Sequence, residues 1–246
     1  MVTGIITAAG LGTRSGLDGK FRKELLPLYD TINKKLVLRP VIDIVYRRLI
    51  SAGCKKIIIV LDPADRISRL YVESNFENYE FALQPEKKGF GNAVYAGLSL
   101  VDGDDFILNA GDGMISDIAF YKSIGNSKHT TLNLFQTEHP ERYGNAALDL
   151  EAGTVSAVIE KPQIPLSNFA IAALYFFKND FKEYLNESTV ELTDSINRYI
   201  KDGRRVDYNV IDRKQWLSIG KKEEYYKVLE RSYEANLNHE MKNGKE

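Results

Sequence analysis

The residues of this chain suited to chemistry gather at glycine-bearing turns. The first turn is Gly10-Leu11-Gly12-Thr13-Arg14, preceded by Ala8 and Ala9 and followed by a basic cluster of Lys20, Arg22 and Lys23. Glycine has no side chain to keep a ligand away, and bare amides with fixed cations beside them make a place for phosphate. Arg14 and Lys23 are the most pointed cations, since Glu24 could neutralise only one of them. A second turn, Lys88-Gly89-Phe90-Gly91-Asn92, follows Gln84-Pro85, and a third is Ala110-Gly111-Asp112-Gly113. Asp112 reads either as an oxygen ligand for a hard cation or as a turn residue bonded to its own backbone. Lys161, before Pro162, reads alone as a solvated charge.

Two well-known glycine motifs fail at the first turn. A P-loop needs Gly-Lys where Ser15 and Gly16 stand, and a dinucleotide fingerprint needs its third glycine where Ser15 stands. Kinase-like and nicotinamide readings are thereby disfavoured. The histidines are His129, His139 and His239, and none forms a Ser-His-Asp or Cys-His pattern with its surroundings. Taken without any family, the turn is an anion site or a surface loop.

The elements around these turns follow from hydrophobic pattern. Ile5-Ile6, Lys55–Leu61, Tyr79–Leu83 and Asp105–Asn109 are predicted strands, the second a β-branched run typical of burial on both faces. Val41, Val45, Leu49 and Ile50, between Pro40 and Gly53, predict a helix, as do residues 64–75 and 93–100. Strands alternating with helices imply a parallel, right-handed α/β sheet. Each glycine turn follows a strand, so all three can border one crevice at the carboxyl ends of the strands. Residues 130–136, 145–150, 155–159, 169–177 and 205–211 read as further strands in mixed or antiparallel pairing. A short helix is expected from Thr193 to Ile200, and a longer one from Lys221, with Tyr226, Leu229, Tyr233 and Leu237 as the stripe that docks on the body or on another subunit.

Composition sets the bounds. The chain has 246 residues, 43% hydrophobic and 27% charged, with a net charge of −1, which suits an ordinary globule and argues against general nucleic-acid binding. A single cysteine, Cys54, rules out an internal disulfide framework and fits a reducing compartment. The apolar start lacks the basic residues of a signal peptide, and no stretch approaches the roughly 18 apolar residues of a membrane span. The expected location is the cytoplasm.

Taken together and in order, Gly10–Arg14, Lys23-Glu24-Leu25-Leu26-Pro27-Leu28, Gln84-Pro85, Lys88–Ala93, Gly111-Asp112, Arg142-Tyr143-Gly144, Glu160-Lys161-Pro162, Leu192-Thr193-Asp194 and Trp216-Leu217-x-x-Gly220 resemble the sugar-1-phosphate nucleotidylyltransferases. The pattern is most like the glucose-1-phosphate uridylyltransferases, with the thymidylyltransferases close behind, and it runs to about residue 235. The resemblance implies a Rossmann-like, mostly parallel sheet flanked by helices. The whole chain, 1–246, is expected to be one nucleotidyltransferase domain, with a nucleotide-binding core (1–130), a mixed β-rich sugar-binding part (131–220) and a C-terminal helix (221–246).

The reaction it implies is attack by glucose 1-phosphate on the α-phosphate of UTP, giving UDP-glucose and pyrophosphate, with dTTP or another sugar 1-phosphate as the alternative. Two anions must meet, so cations supply most of the catalysis. By resemblance Arg14 faces the departing phosphates, Lys23 the reacting phosphates, Lys161 the sugar's phosphate, and Asp112 holds Mg²⁺. Ala8, Ala9, Gly10, Gly12, Thr13, Gln84, Gly89 and Gly111 would line the nucleotide, with Gln84 and Gly89 at the base edge. Gly144 and Glu160 would take the sugar hydroxyls. Small-molecule substrates are the implied partners, with a homo-oligomer permitted. The chain departs from the pattern at Ser218, where the family usually has an aspartate as a second metal ligand. That departure motivates an alternative of another class, a nucleotide-binding regulatory protein with weakened turnover.

Overall fold

The fold was taken from a computed structural model, which describes residues 2–10, 12, 17 and 21–243, with side chains to residue 237. In chain order the elements are β1 (Val2–Thr7), β2 (Pro27–Ile32), β3 (Lys35–Pro40), α1 (Val41–Ser51), β4 (Lys56–Leu61), α2 (Arg66–Asn75), β5 (Tyr79–Leu83), α3 (Phe90–Leu98), β6 (Asp105–Ala110), β7 (Gly113–Ile115), α4 (Ile118–Ile124), β8 (Thr130–Gln136), β9 (Gly144–Asp149), β10 (Thr154–Glu160), β11 (Phe169–Phe177), α5 (Leu192–Lys201), β12 (Val206–Ile211), β13 (Trp216–Ser218) and α6 (Lys222–Asn243).

Among the described residues nine strands form the main sheet, along the path β10-β9-β11-β6-β1-β4-β5, with β8 paired to β11 and β12 to β8. β1 runs parallel to β4 and β6, and β4 parallel to β5, so the expected parallel core is present. β11 then runs antiparallel to β6, β8 and β9, which gives the mixed second half. Alternation along the strands feeds two cores. Ile6, Ile57, Ile59 and Ile107 pack on the α1 and α4 face, while Ile5, Ile58, Val60 and Leu108 pack on the α3 and α5 face. A β-branched run buried on both sides produces this division.

Two parts differ from the pattern reading. Residues 27–40 form the β2–β3 hairpin, turned at Asn33 and Lys34, both with positive φ. On α6 the docked residues are Val228, Ser232 and Asn236, with Tyr225 and Leu229 beside the core, whereas Tyr226 is 72% exposed and Tyr233 40%. Of the expected stripe Leu229 packs beside the core and Tyr233 meets the Tyr29 ring edge-on at 5.1 Å, while Tyr226 faces away, so the docked face is centred about one residue earlier than expected. The reason is that α6 docks on β2 largely through hydrogen bonds. Tyr225 donates to the Pro27 carbonyl at 2.7 Å, the Tyr29 amide donates to Ser232 at 3.0 Å, and Asn236 donates to the Tyr29 carbonyl at 3.0 Å. No helix among the described residues is long and apolar enough to cross a membrane.

Candidate active site

The carboxyl ends of β1 and β6 lie side by side, because Thr7 is in register with Ala110. Where β1 ends, Ala8 and Ala9 are buried and the chain continues to Gly10, whose carbonyl accepts a hydrogen bond from the Arg22 guanidinium at 2.9 Å. Arg22 also bonds Asp62 at 2.9 Å and lies 3.3 Å from Asp65, the residue that caps α2. Arg22 thus ties Gly10, where the glycine turn begins, to the loop after β4. Gly12 has a φ of 62°, the left-handed conformation that favours glycine. The expectations placed on Thr13 and Arg14 lie outside the described residues.

Past Arg22 the chain makes one turn of 3-10 helix, Lys23–Leu25, which carries Lys23 to an ion pair with Asp112. Asp112 sits on the turn after β6. Its position is set by Asn109, whose amide donates to the Ala110 carbonyl at 2.7 Å and the Gly113 carbonyl at 2.8 Å. The Tyr121 hydroxyl, from α4, holds the other end of that amide at 2.8 Å. Gly111 allows the close approach, since a Cβ there would lie 3.0 Å from the Thr7 carbonyl oxygen. The β7–β13 pair brings Ser218 opposite Gly113, and the Ile219 amide donates to the Asp112 carbonyl at 2.8 Å.

Two adjoining cavities share Lys23, Phe90, Ala110 and Asp112. The first, about 300 Å³, is also bounded by Ala9, Gly10, Gln84, Lys87 and Gly89. Gln84 is buried, and its side-chain N–H groups are committed to the Gly89 carbonyl at 3.1 Å and to Asn92 at 3.0 Å. Its carbonyl oxygen is therefore what it can offer a ligand. Gly89 caps α3 at φ 144°, with Val190 so close that a Cβ would lie 2.3 Å from the Val190 carbonyl oxygen. Ala8 and Gly111 stand behind this cavity rather than in its lining.

The second cavity, about 710 Å³, brings together Gly144, Glu160, Lys161 and Ser218, as well as Glu191. Lys161 pairs with Glu160 and has a φ of 38°, an unusual backbone state for a lysine. Its amide donates to the Tyr143 carbonyl at 3.1 Å. Burial first, and then the nearby Glu160 carboxylate, raise the Glu191 carboxyl above its usual range. Glu24 is more strongly perturbed. Burial pushes it up to about 8, against the opposing pull of Lys23, and Asp112 adds to the rise.

Asn109, Tyr121 and Glu191 were not foreseen from sequence, and Arg22, read there as a phosphate-side cation, instead bonds Asp62, Asp65 and the Gly10 carbonyl. Their partners are distant in sequence, and only the short spacing of Arg22 from Gly10 could have drawn notice.

A cation at this site would have one carboxylate, Asp112, at the junction of the cavities. Among the described residues no group of three His, Cys, Asp or Glu side chains is gathered to hold a metal alone. Magnesium needs no such group, because it retains water and shares phosphate oxygens. The donor set thus fits a divalent cation brought in with a polyphosphate.

Comparison with known proteins decides the family. The sequence model described as nucleotidyl transferase matches residues 3–234. The chain belongs to the nucleotidyl transferase family. Relatives of this nucleotidyl transferase include the glucose-1-phosphate thymidylyltransferase of Neisseria meningitidis, 29% identical, the alignment covering 92% of this chain and 80% of that one. The enzyme of the same name from Mycolicibacterium smegmatis is 31% identical, covering 88% and 77%. The structure of a UDP-glucose pyrophosphorylase complexed with UDP-glucose superimposes with a TM-score of 0.79 at 21% identity, over 95% of this chain and 99% of that one. That likeness speaks for the α/β fold.

Proposed function

We propose that this nucleotidyl transferase moves the nucleotidyl group of a pyrimidine nucleoside triphosphate, UTP or dTTP, to a sugar 1-phosphate such as glucose 1-phosphate, releasing pyrophosphate. The observation that carries the reading is the pair of cavities meeting at Lys23 and Asp112. A transfer between two anions needs two compartments with charge of both signs at their junction.

In this reading the smaller cavity takes the base. With its N–H groups committed, Gln84 presents an acceptor, which suits the N3–H of uracil or thymine and not the unprotonated ring nitrogens of cytosine or adenine. The larger cavity takes the sugar. Glu160 and Glu191 accept hydroxyl hydrogen bonds there, and Lys161 meets the phosphate. Lys23 holds the attacking and attacked phosphates together, and the attacking oxygen needs no general base because a phosphate is already ionised. The sequence pattern assigns Arg14 to the departing phosphates. Asp112 would hold Mg²⁺, which when bound supplies neutralising charge to the polyphosphate. UTP, favoured by the sequence pattern, and dTTP, in line with two relatives being thymidylyltransferases, share the N3–H that Gln84 would read.

The test offers UTP, dTTP, CTP, ATP and GTP with a panel of sugar 1-phosphates and Mg²⁺, following pyrophosphate. Release with UTP or dTTP, and little with CTP or ATP, is expected. Preference for CTP or ATP overturns the reading of Gln84, and preference for GTP, whose N1–H suits the same acceptor, overturns the pyrimidine assignment. Nucleotide binding with no release from any pair would replace the enzyme by the regulatory protein that Ser218 first suggested.

A further inference from the structure

The larger cavity carries more positive charge than one sugar phosphate requires. Past Tyr143 it is bounded by Arg213, Lys221, Lys227 and Arg231, and by Arg142, which lies 3.8 Å from Glu141, with Glu224 the one carboxylate of that lining. Tyr143 spans the distance, since its carbonyl accepts from the Lys161 amide at 3.1 Å and its hydroxyl lies 3.3 Å from the Arg213 guanidinium. Helix α6 makes one wall. Glu224, Lys227, Val228 and Arg231 fall at the spacing of one helix face.

The two arginines lack carboxylate partners among the described residues. Arg213 donates to the Trp216 carbonyl at 3.1 Å and lies 4.8 Å over the Phe135 ring. One terminal nitrogen of Arg231 donates to the carbonyls of Arg213, Lys214 and Trp216 at 2.9, 2.7 and 3.0 Å. These bonds orient both groups without a carboxylate in direct contact, while Asp212 and Glu234 act on Arg231 only from a distance. Burial, and next the Arg213 charge, hold Arg231 below its usual range. Gathering like charges in a cavity is unfavourable by itself and becomes favourable when an anion enters.

We propose that the acceptor bears a second anionic group, a carboxylate or a second phosphate besides the one that attacks, and that Arg213, Lys227 and Arg231 receive it. The inference rests on the larger cavity being the acceptor side, as argued above. It makes the acceptor a doubly anionic sugar derivative.

Glucose 1-phosphate, glucose 1,6-bisphosphate and glucuronic acid 1-phosphate should be compared as acceptors for the wild type and for Lys227→Ala, an exposed helix position whose change leaves the fold intact. One doubly charged acceptor should show kcat/KM about tenfold above that of glucose 1-phosphate, the sum of several weak charge-assisted contacts. The two acids distinguish a phosphate from a carboxylate as the second group. Lys227→Ala should bring that ratio down to about two or below, mainly through KM. Equal kcat/KM for all three acceptors in the wild type, or a ratio unchanged by Lys227→Ala, overturns the proposal. If no pair releases pyrophosphate, the transfer reading fails by itself, and calorimetric titration decides the second anion. Tighter binding of glucose 1,6-bisphosphate or of glucuronic acid 1-phosphate than of glucose 1-phosphate, lost in Lys227→Ala, retains the site, and equal binding of all three ends it.

Discussion

Replacing Glu24 by glutamine should change how stability depends on pH. In the folded protein this carboxyl is buried, its Oε2 has no hydrogen-bond partner, and burial pushes it from 4.5 up to about 8. Below about 4.5 both states hold the proton. Between there and about 8 the unfolded chain releases it while the folded chain keeps it, so wild-type stability falls as pH rises through that window and levels off above it. At about 1.4 kcal/mol for each tenfold, the loss between pH 5 and pH 9 is about 4 kcal/mol. A glutamine has the same shape and no proton to lose. Its own poorly bonded amide is a constant cost at every pH, so the slope is the informative quantity. Urea unfolding of both proteins at pH 5, 7 and 9 should give curves that diverge in favour of Glu24→Gln as pH rises. Curves that stay parallel to within about 1 kcal/mol would refute the placement of a neutral acid beside Lys23 and Asp112.

Other substitutions test the site part by part. Asp112→Asn and Lys23→Met should each lower pyrophosphate release by about 10²–10³-fold, the size expected for losing one preorganised charge, while the protein stays folded at a cost of about 1–2 kcal/mol for the ion pair each one breaks. Gly89→Ala would force a Cβ against the Val190 carbonyl, so it should cost about 1–3 kcal/mol in urea unfolding and weaken UTP binding in calorimetry. Arg22→Met leaves Asp62 with Lys87 alone and Asp65 without its guanidinium, and should cost about 3 kcal/mol in the same unfolding assay. Ser218→Asp should lower the Mg²⁺ concentration that gives half-maximal rate, and an unmoved requirement would mean that this position does not reach the ion.

Much of the fold was legible because the parallel core writes itself in β-branched runs. Lys56–Leu61 alone predicts a doubly covered strand, and the glycine turns follow the strands that position them. The β2–β3 hairpin was hidden by its charges. Asp30 and Arg39 are buried there, with Arg48 of α1 bonding Asp30 at 3.0 Å, and Arg39 standing 3.8 Å from Asp30 and 3.6 Å from Asp43. A buried ionic network looks like a surface loop in one dimension. The same limit applies at the site. Lys23, Gln84, Gly89, Asp112, Gly144, Glu160 and Lys161 were picked out in advance, and each now borders one of the two cavities. The residues that hold them, such as Asn109 and Tyr121, act through pairings that no local spacing reveals. On α6 the aromatic stripe misled because the docking surface is an edge strand with backbone groups to satisfy.

The seating of α6 on β2 also bears on how the protein is made. The contacts Tyr29–Ser232 and Thr31–Asn236 join segments 203 and 205 residues apart. During synthesis the segment just after Lys23 and Glu24 therefore emerges first and waits for a partner translated two hundred residues later. Until α6 arrives, a hairpin with an unpaired edge stands beside the future reaction centre, open to mispairing or to chaperones. Assembly of the larger cavity, one wall of which is α6, therefore waits for this late helix, whereas the residues bounding the smaller one have all been made once Asp112 is in place.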